Sequence, residues 1–416
     1  MSLPDELAPM RERLATRVVG ANRIGSERVA AALRAVPRHL FLPGQPPEEA
    51  YRDEAIVTRR DEAGQPISSS SQPTIMAIML DQLDLAPGHR VLEIGAGTGY
   101  NAALISHIVG PSGQLTSVDI DPEVVEEARA HLAGAGFGDV TVVCADGAEG
   151  DPERAPYDRV IATVGVADLA PAWLAQAGPQ ARIVVPLDVR GTQVSVAFER
   201  AGPDGPWTSR SLAPCGFMRM RGSLAGPERV VPLKPGLSLL LPDGPGDIDG
   251  TALAALLAGP PVAHPTGVQA TSAQVFWGLG LWLAARDPRL CRLNEDRPSG
   301  RPAAPGGGQL AGIPLRSGWR ATLGLLDAGG LAILTAPAPP DRSGLLTLGA
   351  TGFGPEAERL AASLAAHVQA WDEAGLPGLA GLHIDAYPRS SGDVPHLAED
   401  AMIMERPGNR FAVYHD

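Results

Sequence analysis

Val91-Leu92-Glu93-Ile94-Gly95-Ala96-Gly97-Thr98-Gly99-Tyr100 is the stretch that decides the fold. Val91 to Ile94 is a short, mostly apolar run suited to a buried strand. Gly95, Gly97 and Gly99 follow at alternate positions, and Ala103, Leu104, Ile105 and Ile108 then supply a helical pattern. Strand, glycine turn and helix make the nucleotide-cradling unit of open α/β sheets. Glycine is needed there because a side chain would hold a ligand away from the backbone. A dinucleotide fingerprint wants glycine at the first, third and sixth positions. The sixth position here is Tyr100, so that pattern fails. A sharp strand-to-helix turn without a ligand is the alternative, and the features downstream speak against it.

The glycine-every-second pattern preceded by Glu93 resembles motif I of the S-adenosylmethionine (SAM) methyltransferases. The resemblance implies a Rossmann-like α/β domain with SAM held by Glu93, Gly95, Ala96, Gly97, Thr98 and Gly99. The next strand reads from Gly113 to Asp121, with Asp119 lying 20 residues beyond Gly99 (119 − 99). An acidic residue at the end of this strand can accept both ribose hydroxyls of a nucleoside. Asp119, followed by Ile120, is therefore the ligand candidate, although it could also be a solvated strand end. Asp121-Pro122-Glu123 reads as a helix start, with Asp121 as cap. Val140 to Cys144 is a third strand, ending in Ala145-Asp146-Gly147. In the SAM enzymes an Asp-Gly pair here contacts the adenine; taken alone it is a common turn.

Toward the N-terminus, Leu7 to Val36 has helical periodicity, and Val36-Pro37-Arg38-His39-Leu40-Phe41-Leu42-Pro43 follows as a proline-bounded connection. This string resembles the Val-Pro-Arg-His-Xaa-Phe-Val-Pro block of the protein-L-isoaspartate O-methyltransferases, and Ala50-Tyr51-Arg52-Asp53 resembles their next block. Gly64-Gln65-Pro66-Ile67-Ser68-Ser69-Ser70-Ser71-Gln72-Pro73 then leads into a helix with Ile75, Met76, Ile78, Met79, Leu80 and Leu83. Read from the residues, it is a serine loop with Ser71 as N-cap and Pro73 in the first turn. The family carries an Ile-Ser-Gln-Pro-type motif here, whose serine hydroxyl contacts the substrate carboxylate. Matching Ile-Ser selects Ser68, and matching Ser-Gln-Pro selects Ser71. Ser71 is preferred, because the helix fixes its geometry, and Ser70 stands beside it as a second candidate. Pro156 to Thr163 reads as the fourth strand; by resemblance Thr163 lies near the active site, and otherwise it is an ordinary β-former. Leu174 to Pro186 resembles the family's helix-turn-strand, and Val194–Glu199 with Cys215–Gly222 reads as a terminal β-pair. The resemblance runs in order from about Val36 to Gly222.

A chain of 416 residues suits two or three domains, and 44% hydrophobic content supports sizeable cores. The boundary expected here is 1–222 for the SAM-binding catalytic domain and 223–416 for a smaller α+β accessory domain, with peptide binding as one reading of its role. In that second part Leu331–Thr335, Leu345–Leu348, Leu382–Tyr387 and Arg410–Tyr414 suit strands. Pro355–Gly375 suits a helix, and Pro298–Gly308 a mobile loop. A net charge of −13 argues against a nucleic-acid partner. Cys144, Cys215 and Cys291 show no metal-ligand or disulfide spacing, so no metal is expected and a reducing cytoplasm suits them. The start of the chain has no signal-peptide pattern. The most apolar window, Val275–Ala285, is too short for a bilayer, so no membrane partner is expected. Oligomeric state is not legible.

The reaction implied by the resemblance is SAM-dependent methylation of an isoaspartyl or aspartyl carboxylate in a protein or peptide, leading to a succinimide. A carboxylate is already an anion near neutral pH, so no general base is required. Aligned reactants can account for up to roughly 7–11 kcal/mol of barrier lowering. His39 and His107 are read as structural. Two alternatives stand beside the repair-type reading. One is maturation of an aspartate in a constrained ribosomal peptide, since chains of this type with a C-terminal extension occur beside peptide-modification pathways in actinobacteria. The other is a non-catalytic SAM- or peptide-binding protein.

Overall fold

The computed structural model describes residues 6–22, 24–62, 64, 66–202, 205–243, 248–296, 313–314, 319–336, 340–391 and 401–415. The Pro298–Gly308 loop lies outside them. Two compact units are present. The first comprises Met1–Asp188, Gln193–Gly226 and His383–Tyr414; the second comprises Val189–Thr192, Pro227–Leu382 and His415–Asp416.

In the first unit, the helical pattern at the N-terminus forms two helices, α1 (Ala8–Asn22) and α2 (Glu27–Ala35). The break falls where Ser26 caps α2 by accepting from the Val29 amide. After the single turn α3 (Pro47–Ala50), β1 (Ile56–Arg60) and β2 (Pro66–Ser70) pair antiparallel as a separate hairpin. Helix α4 (Pro73–Leu83) buries Met76, Met79, Leu80 and Leu83. Next come β3 (Arg90–Ile94), α5 (Tyr100–Val109), β4 (Gln114–Asp119), α6 (Pro122–Gly134), β5 (Thr141–Cys144), β6 (Tyr157–Ala162), α7 (Pro171–Gln176), β7 (Ala177–Val189), β8 (Thr192–Arg200) and β9 (Trp207–Pro214). β3 lies parallel between β4 and β6, with β5 beyond β4 and β7 beyond β6. Strand order thus reverses between β3 and β6, which opens a crevice at their carboxyl ends, beside the end of β4. Val91, Leu92 and Ile94 are buried, as a strand covered on both faces requires. The expected partner of the 194–199 strand is corrected: β8 pairs with Trp207–Pro214, while Cys215–Gly222 runs on past it with a single bridge, Gly165 to Arg219.

The second unit is built on an antiparallel sheet. Its strands are β10 (Arg229–Lys234), β11 (Leu237–Leu241), β12 (Val262–Ala270), β13 (Leu290–Asp296), β14 (Ile313–Pro314), β15 (Trp319–Asp327), β16 (Gly330–Thr335) and β17 (Leu346–Phe353). They are ordered β10-β11-β13-β15-β16-β17-β12, with β14 on β15. Helices α8 (Gly250–Leu257), α9 (Ser272–Gln274), α10 (Gly280–Arg286) and α11 (Ala357–Glu373) accompany it. The stripe expected on α11, Ala357, Leu360, Leu364, Val368 and Trp371, is buried. Leu360, Leu364, Val368 and Trp371 join Leu325, Leu334 and Leu348 in one core. No helix among the described residues is long and apolar enough to cross a membrane.

The chain then returns to the first unit. β18 (Leu382–Pro388), β19 (Met402–Glu405) and β20 (Asn409–His415) complete a ten-stranded sheet ordered β19-β20-β18-β9-β8-β7-β6-β3-β4-β5. β18 lies antiparallel to β9, with Asp385 opposite Thr208 and Ala386 opposite Trp207. This corrects the single boundary at Gly222: the strands expected at 382–387 and 410–414 form, but as the edge of the first sheet. Pairing edges shields the open amides of β9 that a boundary at 222 would leave exposed.

Candidate active site

The glycine bend sits on a buried acid. Glu93 is fully buried; Asn101 Nδ2 donates to its Oε1 at 2.7 Å and Ser117 Oγ to its Oε2 at 2.6 Å. Burial pushes its carboxyl up to about 7, against the effect of those two donors. Glu93 therefore ties β3, α5 and β4 together beneath the bend, with both oxygens engaged inside the protein.

Above it, Gly95, Gly97 and Gly99 have φ of +99°, +51° and +85°. A Cβ at Gly95 would stand 2.7 Å from Thr163 Oγ1 and 3.1 Å from Val164 Cγ1. A Cβ at Gly97 would reach 3.4 Å from the Ser69 carbonyl. The serine strand therefore passes directly over the bend. Ala96 and Thr98 are buried within it, and the Thr98 carbonyl meets His131 Nδ1 at 3.0 Å. Thr163 Oγ1 donates toward the carbonyls of Gly95 at 2.7 Å and Ile94 at 3.2 Å. Its hydroxyl thus fastens the bend.

Asp119, at the end of β4, accepts the Gly97 amide on Oδ2 at 3.2 Å and the Asp121 amide on Oδ1 at 3.1 Å. An ionised carboxylate has about four acceptor sites, so capacity remains for a ligand's hydroxyls. Ile120 beside it is 36% exposed and offers an apolar face. Asp121 caps α6 as expected, accepting the amides of Glu123 and Val124. Asp146 accepts the amides of Ala148 at 3.0 Å and Ser223 at 2.8 Å. Burial works against its charged form, yet these bonds hold its carboxyl below the usual range. A Cβ on Gly147 would come within 2.6 Å of Ile94 Cγ2. Only glycine lets this corner close against β3.

The serine run divides by strand alternation. Ser68 and Ser70 are buried; Ser68 Oγ accepts from Thr58 Oγ1, and Ser70 Oγ lies 3.4 Å from Arg38 Nη2. Ser69 and Ser71 are half-buried, and neither hydroxyl makes a hydrogen bond among the described residues. The expected cap is corrected. Gln72 is the N-cap of α4 and makes no side-chain cap bond. Asp53 reaches across instead and accepts the Thr74 amide at 2.9 Å and the Thr74 hydroxyl at 2.7 Å. A carboxylate at the helix start relieves Ser71 of that task.

Sequence reasoning missed Arg38. It is fully buried, with Nη1 donating to the Arg52 carbonyl at 2.9 Å. Nη2 donates to the carbonyls of Glu54 at 3.2 Å and Ser71 at 3.1 Å. Its guanidinium also lies over the Tyr100 ring, 5.7 Å from the centroid. One side chain thereby fixes the serine strand against the start of α5. The available signal was an arginine enclosed by Val36, Leu40, Phe41 and Leu42. Arg59 was missed too; it pairs with Glu123 and lies 3.5 Å from Asp121, strapping the hairpin to α6. His39 meets the Tyr51 hydroxyl at 2.9 Å, and His107 is exposed.

A doubly wound sheet whose switch-point crevice holds a three-glycine bend, a strand-end carboxylate and an Asp-Gly corner defines a SAM-dependent methyltransferase. The residues present suit that group: the bend excludes Cβ atoms, Asp119 keeps free acceptor sites and Ile120 is exposed beside it. The family description "Protein-L-isoaspartate(D-aspartate) O-methyltransferase (PCMT)" matches residues 11–222, and the chain belongs to that family. It is 38% identical over 213 residues to the protein-L-isoaspartate O-methyltransferase of Methanopyrus kandleri, covering 51% of this chain and 91% of that one. It is 41% identical over 177 residues to protein-L-isoaspartate O-methyltransferase 2 of Archaeoglobus fulgidus, covering 42% and 78%. A solved protein-L-isoaspartate O-methyltransferase structure superposes with a TM-score of 0.50 at 23% identity, covering 90% of this chain and 96% of that one, a likeness of fold.

Proposed function

We propose that the enzyme methylates the free carboxylate of an isoaspartyl residue in a protein or peptide, and that the ester then closes to a succinimide. The observation that carries this reading is the passage of the serine strand over the glycine bend, with the Ser69 carbonyl against Gly97 and the Ser71 hydroxyl left without a partner among the described residues. The free hydroxyl of Ser71 suits a carboxylate oxygen, and strand alternation turns Ser70 away toward Arg38.

When bound, SAM supplies an electrophilic methyl group on a sulfonium. Asp119 would hold the ribose, Ile120 and the Asp146–Gly147 corner the adenine, and the bend from Gly95 to Gly99 the remainder. Ser71 orients the acceptor oxygen, which is already ionised near neutral pH, so no proton has to be removed by the protein. Arg38 keeps the Ser71 backbone in place, and Thr163 keeps the bend in shape. Orientation of this kind needs no acid–base pair. In the ester, the next backbone nitrogen attacks the carbonyl and methanol leaves, which closes the ring.

The test is transfer of labelled methyl to an isoaspartyl peptide beside its aspartyl twin and a constrained aspartyl peptide. Label in the isoaspartyl peptide alone is the expected result. Label confined to the constrained peptide would replace this acceptor with the maturation-type one. Ser71→Ala is expected to lower kcat/KM for the peptide by about tenfold, the scale of one hydrogen bond to a charged group, and to leave donor affinity unchanged. Unaltered kcat/KM would remove Ser71 from its role.

A further inference from the structure

The loop after β6 runs from Thr163 through Leu169 into α7. Thr163 fastens the glycine bend, and Trp173 of α7 donates from Nε1 to the Gly147 carbonyl at 2.8 Å. One connection therefore touches both corners of the donor site. Its outer side is held by the far end of the chain. Asp168, 2% exposed, accepts the Gly408 amide and Asn409 Nδ2, each at 2.6 Å. Asn409 is fully buried and also donates to the Leu169 carbonyl at 2.7 Å. Arg406 Nε donates to the Ala167 carbonyl at 3.2 Å.

The turn that supplies these groups is itself braced. The Arg406 amide donates to the Asn409 carbonyl at 2.9 Å, and the Arg389 amide to the Gly408 carbonyl at 3.0 Å. Arg389 Nε donates to the Arg406 carbonyl at 2.7 Å. A Cβ at Gly408 would stand 3.1 Å from both Asp168 Oδ2 and Pro171 Cγ, so the fit is close. The family match stops at residue 222, yet the loop's anchors lie at 406–409.

We infer that Asp168 and Asn409 are positioning residues for methyl transfer: the 406–409 turn sets the loop that shapes the glycine bend and, through Trp173, the Gly147 corner. The inference rests on the reading of those corners as the donor site. A buried polar clamp with three short bonds linking Asp168, Gly408, Asn409 and Leu169 holds one geometry and penalises departures from it. The last strands of the chain thus belong to the donor site's scaffold.

The test uses the full-length enzyme, with S-adenosylhomocysteine titrated by calorimetry and initial rates taken against donor concentration. Asn409→Ala is expected to weaken S-adenosylhomocysteine binding about 2- to 30-fold, the range seen for substitutions along a coupling network, and to raise KM for the donor more than it lowers kcat. Tyr414→Phe is the control. It removes the bond from Tyr414 to Asp385 at 3.0 Å in the same strands, at the other end of β20 from the turn, and donor affinity should stay within about twofold. Wild-type affinity in folded Asn409→Ala, or equal loss in Tyr414→Phe, would overturn the inference. Should Asn409→Ala not fold, Gly408→Ala displaces the clamp instead of deleting it and is read in the same way. The binding measurement involves no acceptor. A wild type that binds S-adenosylhomocysteine and methylates no isoaspartyl peptide therefore refutes the acceptor proposed above and leaves this inference to be decided by the variants.

Discussion

The two sheets put buried charge to different uses. In the first unit, Glu93 lies beneath a bend at the end of a parallel strand, and its carboxyl is pushed up to about 7 because burial outweighs its two donors. In the second, Asp287 lies at the turn between α10 and β13, where Arg289 Nη2 donates at 2.6 Å and His367 Nε2 sits at 3.1 Å. Burial opposes its charge as well, but these partners win and hold its carboxyl well below the usual range. Arg289 also reaches Ser363 of α11, so the cluster bolts a helix to a turn. A charge kept at a disadvantage under a ligand crevice differs from a charge satisfied inside a scaffold. Glu93 carries that disadvantage beneath the bend, whereas the partners of Asp287 remove it.

The largest test of that contrast is a pair of glycines. Gly95→Ala puts a Cβ 2.7 Å from Thr163 Oγ1 at a φ of +99°; strain and crowding together should cost roughly 2–5 kcal/mol and abolish donor binding. Gly267, at φ +76° with nothing within 4 Å of its Cβ, should tolerate alanine at about 1 kcal/mol, with full activity. Denaturant titration with donor calorimetry reads both. Equal losses would erase the contrast.

The two carboxyls also predict opposite pH dependences. Glu93 is raised in the folded state, so the unfolded chain ionises first as pH rises, and stability falls between about pH 4.5 and pH 7. The loss is on the order of 3 kcal/mol, and Glu93→Gln should flatten it. Asp287 is depressed, so its contribution is present above the unfolded value near 3.8 and is lost progressively as pH falls from there through the lower folded value. Hydrogen exchange at β3 between about pH 4.5 and pH 7, and at α11 below about pH 3.8, should show the first loosening with base and the second with acid. A common profile would break the comparison.

Smaller effects sharpen it. Asp287→Asn should cost about 2 kcal/mol, as expected when one partner of a buried charged bond is replaced, and leave donor affinity within about twofold. A larger affinity change would mean that the second unit reaches the chemistry. Thr163→Val removes two hydroxyl contacts to the bend and should cost about 1 kcal/mol. It should weaken donor binding even where stability is restored by a compensating substitution.

Local chemistry was legible in the sequence, and distant pairing was not. The strand, the bend and the helix after it can be read because each residue's task is set by its neighbours: φ above zero at Gly95, burial at Ile94, a cap at Asp121. The Ser71 cap fails because the carboxylate of Asp53, 21 residues away, reaches Thr74 first. Arg38 looks like a surface residue by type; its apolar neighbours are the local sign of burial, while the segments it joins lie far off in sequence. The return of β18 is hidden for the same reason. The Ile384 amide bonds Ser209 Oγ across 175 residues, a partnership that no window of periodicity contains.

The chain leaves the first unit after Gly226 and re-enters its sheet as β18, antiparallel beside β9. That geometry makes residues 227–381 a cassette. An excursion between two neighbouring strands leaves their own ladder intact, in keeping with the tolerance of surface junctions for domain insertion. The sheet of the first unit thereby carries its insertion without breaking its edge.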